Sequence, residues 1–288
     1  MTDGPDGEGG APMAEGEAAA VRLHIRHRTS YRYDQPVPYG LQQLRLTPSS
    51  GVGQTVVSWD LSIEGGHHQL DFQDHHGNRV TTIGIDSAAT TIEVLSEGVV
   101  DTTDTGGVLG DHRGYTPLWL FERTTELTEP GDRVVALTDG LDAHADSEIG
   151  RLHGLSQRIA EAIEYQPGRT DSSFTAEEAL AEGSGVCQDH AHVFIAAARH
   201  LGFPGRYISG YLLMEDTVEQ AATHAWAEVW VAHLGWVGFD ISNGISPDER
   251  YVRLATGLDY REAAPISGLR FGGGEEAMEV SLAVQAQQ

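Results

Sequence analysis

Between residues 21 and 100 the apolar positions fall on every second residue. Val21, Leu23 and Ile25 alternate with charged or polar neighbours, and so do Leu44 and Leu46 within 43–48. A period of two is the signature of a strand with one face in a core. Three more β-rich runs follow at Gln54–Ile63, Gly77–Ile85 and Thr90–Val99, separated by turn residues such as Asp34-Gln35-Pro36, Pro48-Ser49-Ser50-Gly51, Glu64-Gly65-Gly66 and His76-Gly77-Asn78. Short strands at this spacing predict an antiparallel β-sandwich. Asp101–Gly114 is rich in Gly, Asp and Thr and reads as a loop. Within Pro117–Gly131, Trp119 and Phe121 are expected to pack at a domain junction.

From about Arg133 the period changes. Leu152, Leu155, Ile159, Ala160, Ile163 and Tyr165 mark an amphipathic helix that ends before Pro167-Gly168. Thr175 followed by Glu178 has the form of a helix-capping box. Ala191, Phe194, Ile195, Ala198 and Leu201 line one face of a second long helix, stopped by Gly202 and Pro204. Alternation then returns at 206–213, 224–231 and 235–239, with His233-Leu234-Gly235 short enough to close a hairpin. Met278–Ala286 is a final strand that returns to a sheet. Met1 to about Ala20, rich in Gly, Ala, Glu and Asp, cannot bury a core and is expected to be a disordered acidic tail.

Candidate chemistry concentrates between Gly183 and Asp240. Cys187 is the single cysteine, follows Gly183-Ser184-Gly185, and falls at the start of the second long helix. Unpaired N–H groups and the helix dipole there favour a thiolate, which is the nucleophilic form. A nucleophile needs a base, and the base an orienting group. His224 opens the next strand pair and Asp240 closes it, so the hairpin brings them side by side. Alone, such a Cys is usually a small buried hydrophobe, such a His structural and such an Asp a turn residue. Together, in this order, they point to a Cys-His-Asp triad.

Gly185-Val186-Cys187-Gln188-Asp189, Arg206-Tyr207-Ile208-Ser209-Gly210-Tyr211, His224-Ala225-Trp226-Ala227-Glu228-Val229 and Gly235-Trp236-Val237-Gly238-Phe239-Asp240 resemble the core of bacterial transglutaminase-like proteins, which belong to the papain-like cysteine enzymes. The segments 27–37 and Asp74-His75-His76-Gly77-Asn78 are similar to the β domain that precedes this core in bacterial relatives. The resemblance implies an α+β fold. A tail (1–20) leads into an N-terminal antiparallel β-sandwich (21–115), a connector (116–145) and a papain-like, transglutaminase-like core with a C-terminal strand (146–288), its Cys on a helix N-terminus packed on an antiparallel sheet. It carries the triad onto Cys187, His224 and Asp240. Asp189 and Trp226 follow as supporting residues. The chemistry also requires an oxyanion donor beside the Cys187 N–H, for which Tyr165 and Gln188 are the candidates. The reactions implied are hydrolysis of peptide or amide bonds, or transfer of the acyl group to an amine; an idle binding module is a third possibility, against which the intact triad argues.

Charge narrows the partners. Asp and Glu number 43 against 18 basic residues, a formal net charge of -25. All basic residues are Arg, so the protein cannot serve as its own lysine acceptor. Such acidity argues against nucleic acid and anionic membranes as partners, and leaves the peptide or protein amide substrate that the resemblance implies. Acidic residues Glu215, Asp216 and Glu219 precede His224; a cleft bordered by them would favour basic or amine groups. One Cys allows no internal disulfide. With no basic-then-apolar leader and no run of about 18 apolar residues, a cytoplasmic location is expected. No cofactor or metal is expected. His67, His68, His75 and His76 match no common zinc spacing and read as exposed turn histidines, and His190 and His192 as packing residues, although with His224 they could be imagined as a metal set.

Overall fold

Each alternating run becomes a strand whose buried residues are the apolar ones. In this computed structural model, residues 20–141, 147–214, 217–220 and 222–287 are described. All but the last residue of the expected tail lies outside them, as do Glu215 and Asp216. The first six strands are β1 (Val21–Tyr33), β2 (Tyr39–Thr47), β3 (Gln54–Glu64), β4 (Gly66–Gln73), β5 (Arg79–Ile85) and β6 (Thr91–Thr102). There follow β7 (Val108–Gly110), α1 (Asp132–Thr138), α2 (Glu148–Ala162), β8 (Glu164–Tyr165), α3 (Ala176–Glu182), β9 (Ser184–Gly185) and α4 (Cys187–His200). The chain ends with β10 (Gly205–Leu212), β11 (Glu219–Gln220), β12 (His224–Val231), β13 (Gly235–Phe239), β14 (Tyr251–Gly257), α5 (Tyr260–Ala263), β15 (Ile266–Phe271) and β16 (Glu276–Gln287).

Three antiparallel sheets carry the α+β fold. One runs β11-β16-β1-β6-β3 and a second β15-β2-β5-β4. Their facing sides share a core of Leu23, Ile25, Leu44, Leu46, Ile83, Ile92 and Val284. The final strand is longer than expected and pairs with β1 from Arg22↔Gln287 to Tyr33↔Glu276. β15 likewise pairs with β2. The third sheet, β14-β10-β12-β13-β7, includes β7 inside the expected 101–114 loop. It is covered by α4, whose Val193, Phe194, Ala197 and Ala198 pack with Ala225, Ala227 and Val229 of β12. Thr175 and Glu178 form the expected capping box on α3.

Polar ties fix the sandwich to the third sheet. In the turn after β4, Asn78 donates to Thr256 O at 2.7 Å and accepts the Thr256 N–H at 2.8 Å, while Asp74 accepts the Asn78 amide at 2.9 Å. That turn is one of the two N-terminal segments singled out in the sequence. Buried Arg199, in the last turn of α4, donates to the carbonyls of Phe121, Gly205 and Leu258 and to the Thr128 hydroxyl, at 2.7–2.9 Å. Two packing expectations change. Phe121 is buried against Trp236 and Leu258, but Trp119 is 61% exposed because its short 3-10 turn buries one face only. His67 and His68 lie on the edge strand β4, not in a turn; both faces of β4 are solvated, so no alternation announced it.

Candidate active site

The start of α4 is held by its own third residue. Val186, the N-cap, has no side-chain acceptor, and Asp189 Oδ2 reaches back to accept its N–H at 2.7 Å and the Thr170 hydroxyl at 2.6 Å. Burial pushes the Asp189 carboxyl up, against these two hydrogen bonds. Close approach is possible because residue 185 is glycine: a Cβ there would lie 2.7 Å from Asp189 Oδ2 and 2.9 Å from its Cβ. Gly185→Ala is therefore expected to push the cap off the helix start and cost about 1–3 kcal/mol by overpacking, read as a lower urea midpoint; an unchanged midpoint would show that the cap tolerates a methyl. With the Val186 N–H taken, the N–H groups of Cys187 and Gln188 are among the first-turn donors of α4 without an intrahelical acceptor.

β8 and β9 form a two-residue parallel pair that sets Tyr165 opposite Gly185, and the Gln166 N–H donates to Gly185 O at 2.8 Å. Tyr165 is thereby placed beside Cys187. Burial first, and the nearby Cys187 and Asp240 charges, push its phenol up.

His224 Nε2–H donates to Asp240 Oδ2 at 2.6 Å, with both side chains buried. This leaves Nδ1 for the Cys187 thiol, its other hydrogen-bond partner. Burial is the largest influence on the imidazole and pulls its pKa down. The hydrogen bonds and charges of Asp240 and Cys187 together outweigh it and push the pKa up to about 10. At neutral pH His224 is therefore an imidazolium next to sulfur. The folded value lies above the unfolded one of about 6.5. The stabilisation from this proton is thus complete below about pH 6.5 and disappears as pH rises through about 10.

Asp240 is fixed by three further donors. Its Oδ2 accepts from Asn243 Nδ2 and the Tyr251 hydroxyl, both at 2.7 Å, and its Oδ1 accepts the Asn243 N–H at 3.2 Å. Burial raises its pKa, but His224, Tyr251 and Asn243 outweigh it and the carboxyl ends below its ordinary range. Tyr251 and Asn243 were not picked out in the sequence; the only cue was the Asn243-Gly244 turn just after Asp240.

A cleft of about 440 Å³ opens over Cys187 and His224. Tyr165 and Gln188 line it, and so does Glu219 of β11. Trp226 does not. It is 2% exposed, stacks 6.4 Å from the His224 ring and packs with Ile208, Leu212 and Tyr251 beneath the site. His190 is a neutral tie: its Nε2–H donates to Ile163 O at 3.1 Å and its Nδ1 accepts from Ser242 at 2.8 Å, anchoring the loop after Asp240 to α4. His192 is fully buried, accepts the Tyr260 N–H at 3.1 Å, and is held neutral by burial, with its pKa near 3. With these different partners, His190, His192 and His224 do not converge on one point. Among the described residues, the side chains gathered closely enough to hold a metal are His75, His76 and Glu262; His76 Nε2–H already donates to Glu262 at 2.7 Å.

The chain resembles known proteins over most of its length. A family model described as the transglutaminase-like superfamily matches residues 135–241, and one described as the bacterial transglutaminase-like N-terminal region matches residues 23–101. An uncharacterized protein of Mycobacterium leprae is 29% identical over 279 residues, 91% of this chain and 98% of that protein. An uncharacterized protein of Mycobacterium tuberculosis is 28% identical over 294 residues, 91% of this chain and 92% of that one. A protein-glutamine gamma-glutamyltransferase of Pseudomonas aeruginosa is 29% identical over 156 residues, covering 49% of this chain but 23% of that protein. A crystal structure from Cytophaga hutchinsonii shares the fold, with a TM-score of 0.76 at 21% identity over 94% of this chain and 92% of that one. The chain belongs to the transglutaminase-like superfamily, carrying the bacterial N-terminal region ahead of a papain-like core.

Proposed function

We propose that the protein hydrolyses peptide or amide bonds of peptide or protein substrates through a thioester on Cys187, with His224 as proton carrier and Asp240 as its orienting group. The observation behind this reading is the buried His224–Asp240 hydrogen bond with Cys187, at the start of α4, lining the same open cleft as His224; both partners push the imidazole pKa up. The Cys187 sulfur, its proton already on His224, attacks the amide carbonyl as a thiolate and a C–S bond forms. The Cys187 N–H and a second donor, Tyr165 or Gln188, hold the developing oxyanion. His224 gives its proton to the leaving nitrogen and the C–N bond breaks. Water, its proton taken by His224, then attacks the thioester, and the C–S bond breaks to return the thiolate beside the protonated His224.

The direct test is p-nitrophenyl acetate with intact-mass detection. The wild type should show a burst of nitrophenolate and one added acetyl group, both absent in Cys187→Ala. Acetylation that survives in Cys187→Ala would overturn the reading. The same mechanism fixes a pH dependence. The leaving amine needs the His224 proton, so kcat/KM should fall as pH rises through about 10. Asp240→Asn removes a charge and hydrogen bond that hold this proton and should move that limb to lower pH; an unmoved limb would contradict it.

A second reading, acyl transfer to an amine, is favoured by the likeness of 156 residues to the Pseudomonas transferase. Ammonia release from a glutaminyl peptide, with and without added amine, separates the two by whether the amine is incorporated.

A further inference from the structure

A second cavity, of about 200 Å³, adjoins the cleft. Ala222, Thr223 and Tyr260 line both. Its far walls come from the sandwich: His27, Thr29 and Tyr31 of β1 and Met278 and Val280 of β16. β16 also holds the shared wall in place, because β11 pairs with it at Glu219↔Ala283 and Gln220↔Leu282.

The cavity is uncharged. Among the described residues, no carboxylate or guanidinium lines it. His27 is 3% exposed, with one ring nitrogen bonded to the Tyr211 hydroxyl at 3.1 Å and the other to Thr29 at 3.2 Å, and burial pulls its pKa down to about 4. Tyr31 and Tyr260 add aromatic rings to its lining, and Met278, 60% exposed, stands at the solvent side. A space of this kind takes an apolar or aromatic group and rejects a charge.

Its place decides which part of a substrate it meets. His224 must reach the nitrogen that leaves, so the amine side of the reacting bond lies against His224. Thr223, the residue just before it, is where the second cavity begins. We infer that this cavity is a binding site for an apolar or aromatic side chain on the amine component of the reaction, so that the N-terminal β domain sets specificity. The inference rests on the acyl-enzyme proposed above. That component is the leaving fragment in hydrolysis and the acceptor in transfer. In transfer its nitrogen attacks the thioester carbonyl, a C–N bond forms, the C–S bond breaks, and the amine proton passes to His224.

The test uses acetyl-enzyme formed on the whole chain from p-nitrophenyl acetate, partitioned between water and either phenylalaninamide or glycinamide. These amines differ chiefly in the benzyl group. Buried in the cavity, that group should make phenylalaninamide at least about tenfold more effective per mole in the wild type. Val280→Trp fills the cavity and should bring the two amines within about twofold. Met278→Glu, at an exposed position, places a carboxylate at the mouth and should act in the same direction even if Val280→Trp folds poorly. Equal partitioning in the wild type, or a preference kept in the folded variants, overturns the assignment. Failure to form acetyl-enzyme at all overturns the proposed function, and this assignment with it; the burst is read first, so the two failures are distinguished.

Discussion

Cys187→Ala should lower kcat/KM on any substrate that the wild type turns over by at least about 10⁴-fold, and His224→Ala by about 10³-fold or more. Without Cys187 there is no thioester. Without His224 nothing protonates the leaving nitrogen, and the thiol loses the imidazolium beside it. Thermal midpoints of both variants check that the fold persists, since Cys187 is only half-buried and sits at a helix end. Asp240→Asn should fall between them and the wild type, because Asn243 and Tyr251 still hold the position of the side chain. A His224→Ala protein retaining most of the wild-type rate would show that the set is structural.

Glu228→Gln should give the largest loss of stability, about 3–5 kcal/mol. Glu228 lies on β12 with its side chain wholly buried, and its carboxylate neutralises two arginines. Arg206 donates to Oε2 at 2.7 Å through Nε, and Arg253 to Oε1 at 3.0 Å through its own Nε. Burial raises the Glu228 pKa, but the two guanidinium groups outweigh it and keep the carboxyl below its ordinary range. Arg206 also lies 3.9 Å over the Trp236 ring, and the Arg253 backbone is tied to Gln54 of β3. Glutamine keeps the shape and removes the charge, stranding two cations under the strand that carries His224. The exposed Arg22–Asp101 pair is the contrast: its removal should leave stability unchanged within error. Chemical denaturation of the three proteins decides this; a Glu228→Gln loss below about 1 kcal/mol would mean that solvent reaches the triad of charges.

Local signals carried much of the fold and of the site. The helix that begins at Cys187, the capping box at Thr175 and the β12–β13 hairpin are visible in sequence because each rests on short-range periodicity or turn chemistry. What was hidden is non-local or lacks a buried face. β4 has both sides in solvent, and β7 is three residues in a Gly-rich loop. Nothing local says that β15 and β16, more than 200 residues downstream, complete the sheets begun by β1 and β2. The same holds at the site. His224 and Asp240 are brought together by one hairpin and could be paired from spacing. The Tyr251 hydroxyl reaches Asp240 from another strand, and its role follows only from the fold. Trp226 shares a motif with His224 but packs below it, since adjacency in a motif does not fix which side of the sheet meets the cleft.

The measurement closest to the central claim is alkylation of the single cysteine by iodoacetamide, followed by intact mass across pH in wild type and His224→Ala. With one Cys in the chain, every added mass reports Cys187. Reactivity maintained by the imidazolium predicts a wild-type rate at pH 6 within about threefold of that at pH 8.5, and a fall of at least about tenfold over the same range in His224→Ala. A fall of about 100-fold between pH 8.5 and pH 6 in both proteins, the behaviour of an ordinary thiol, would contradict the account.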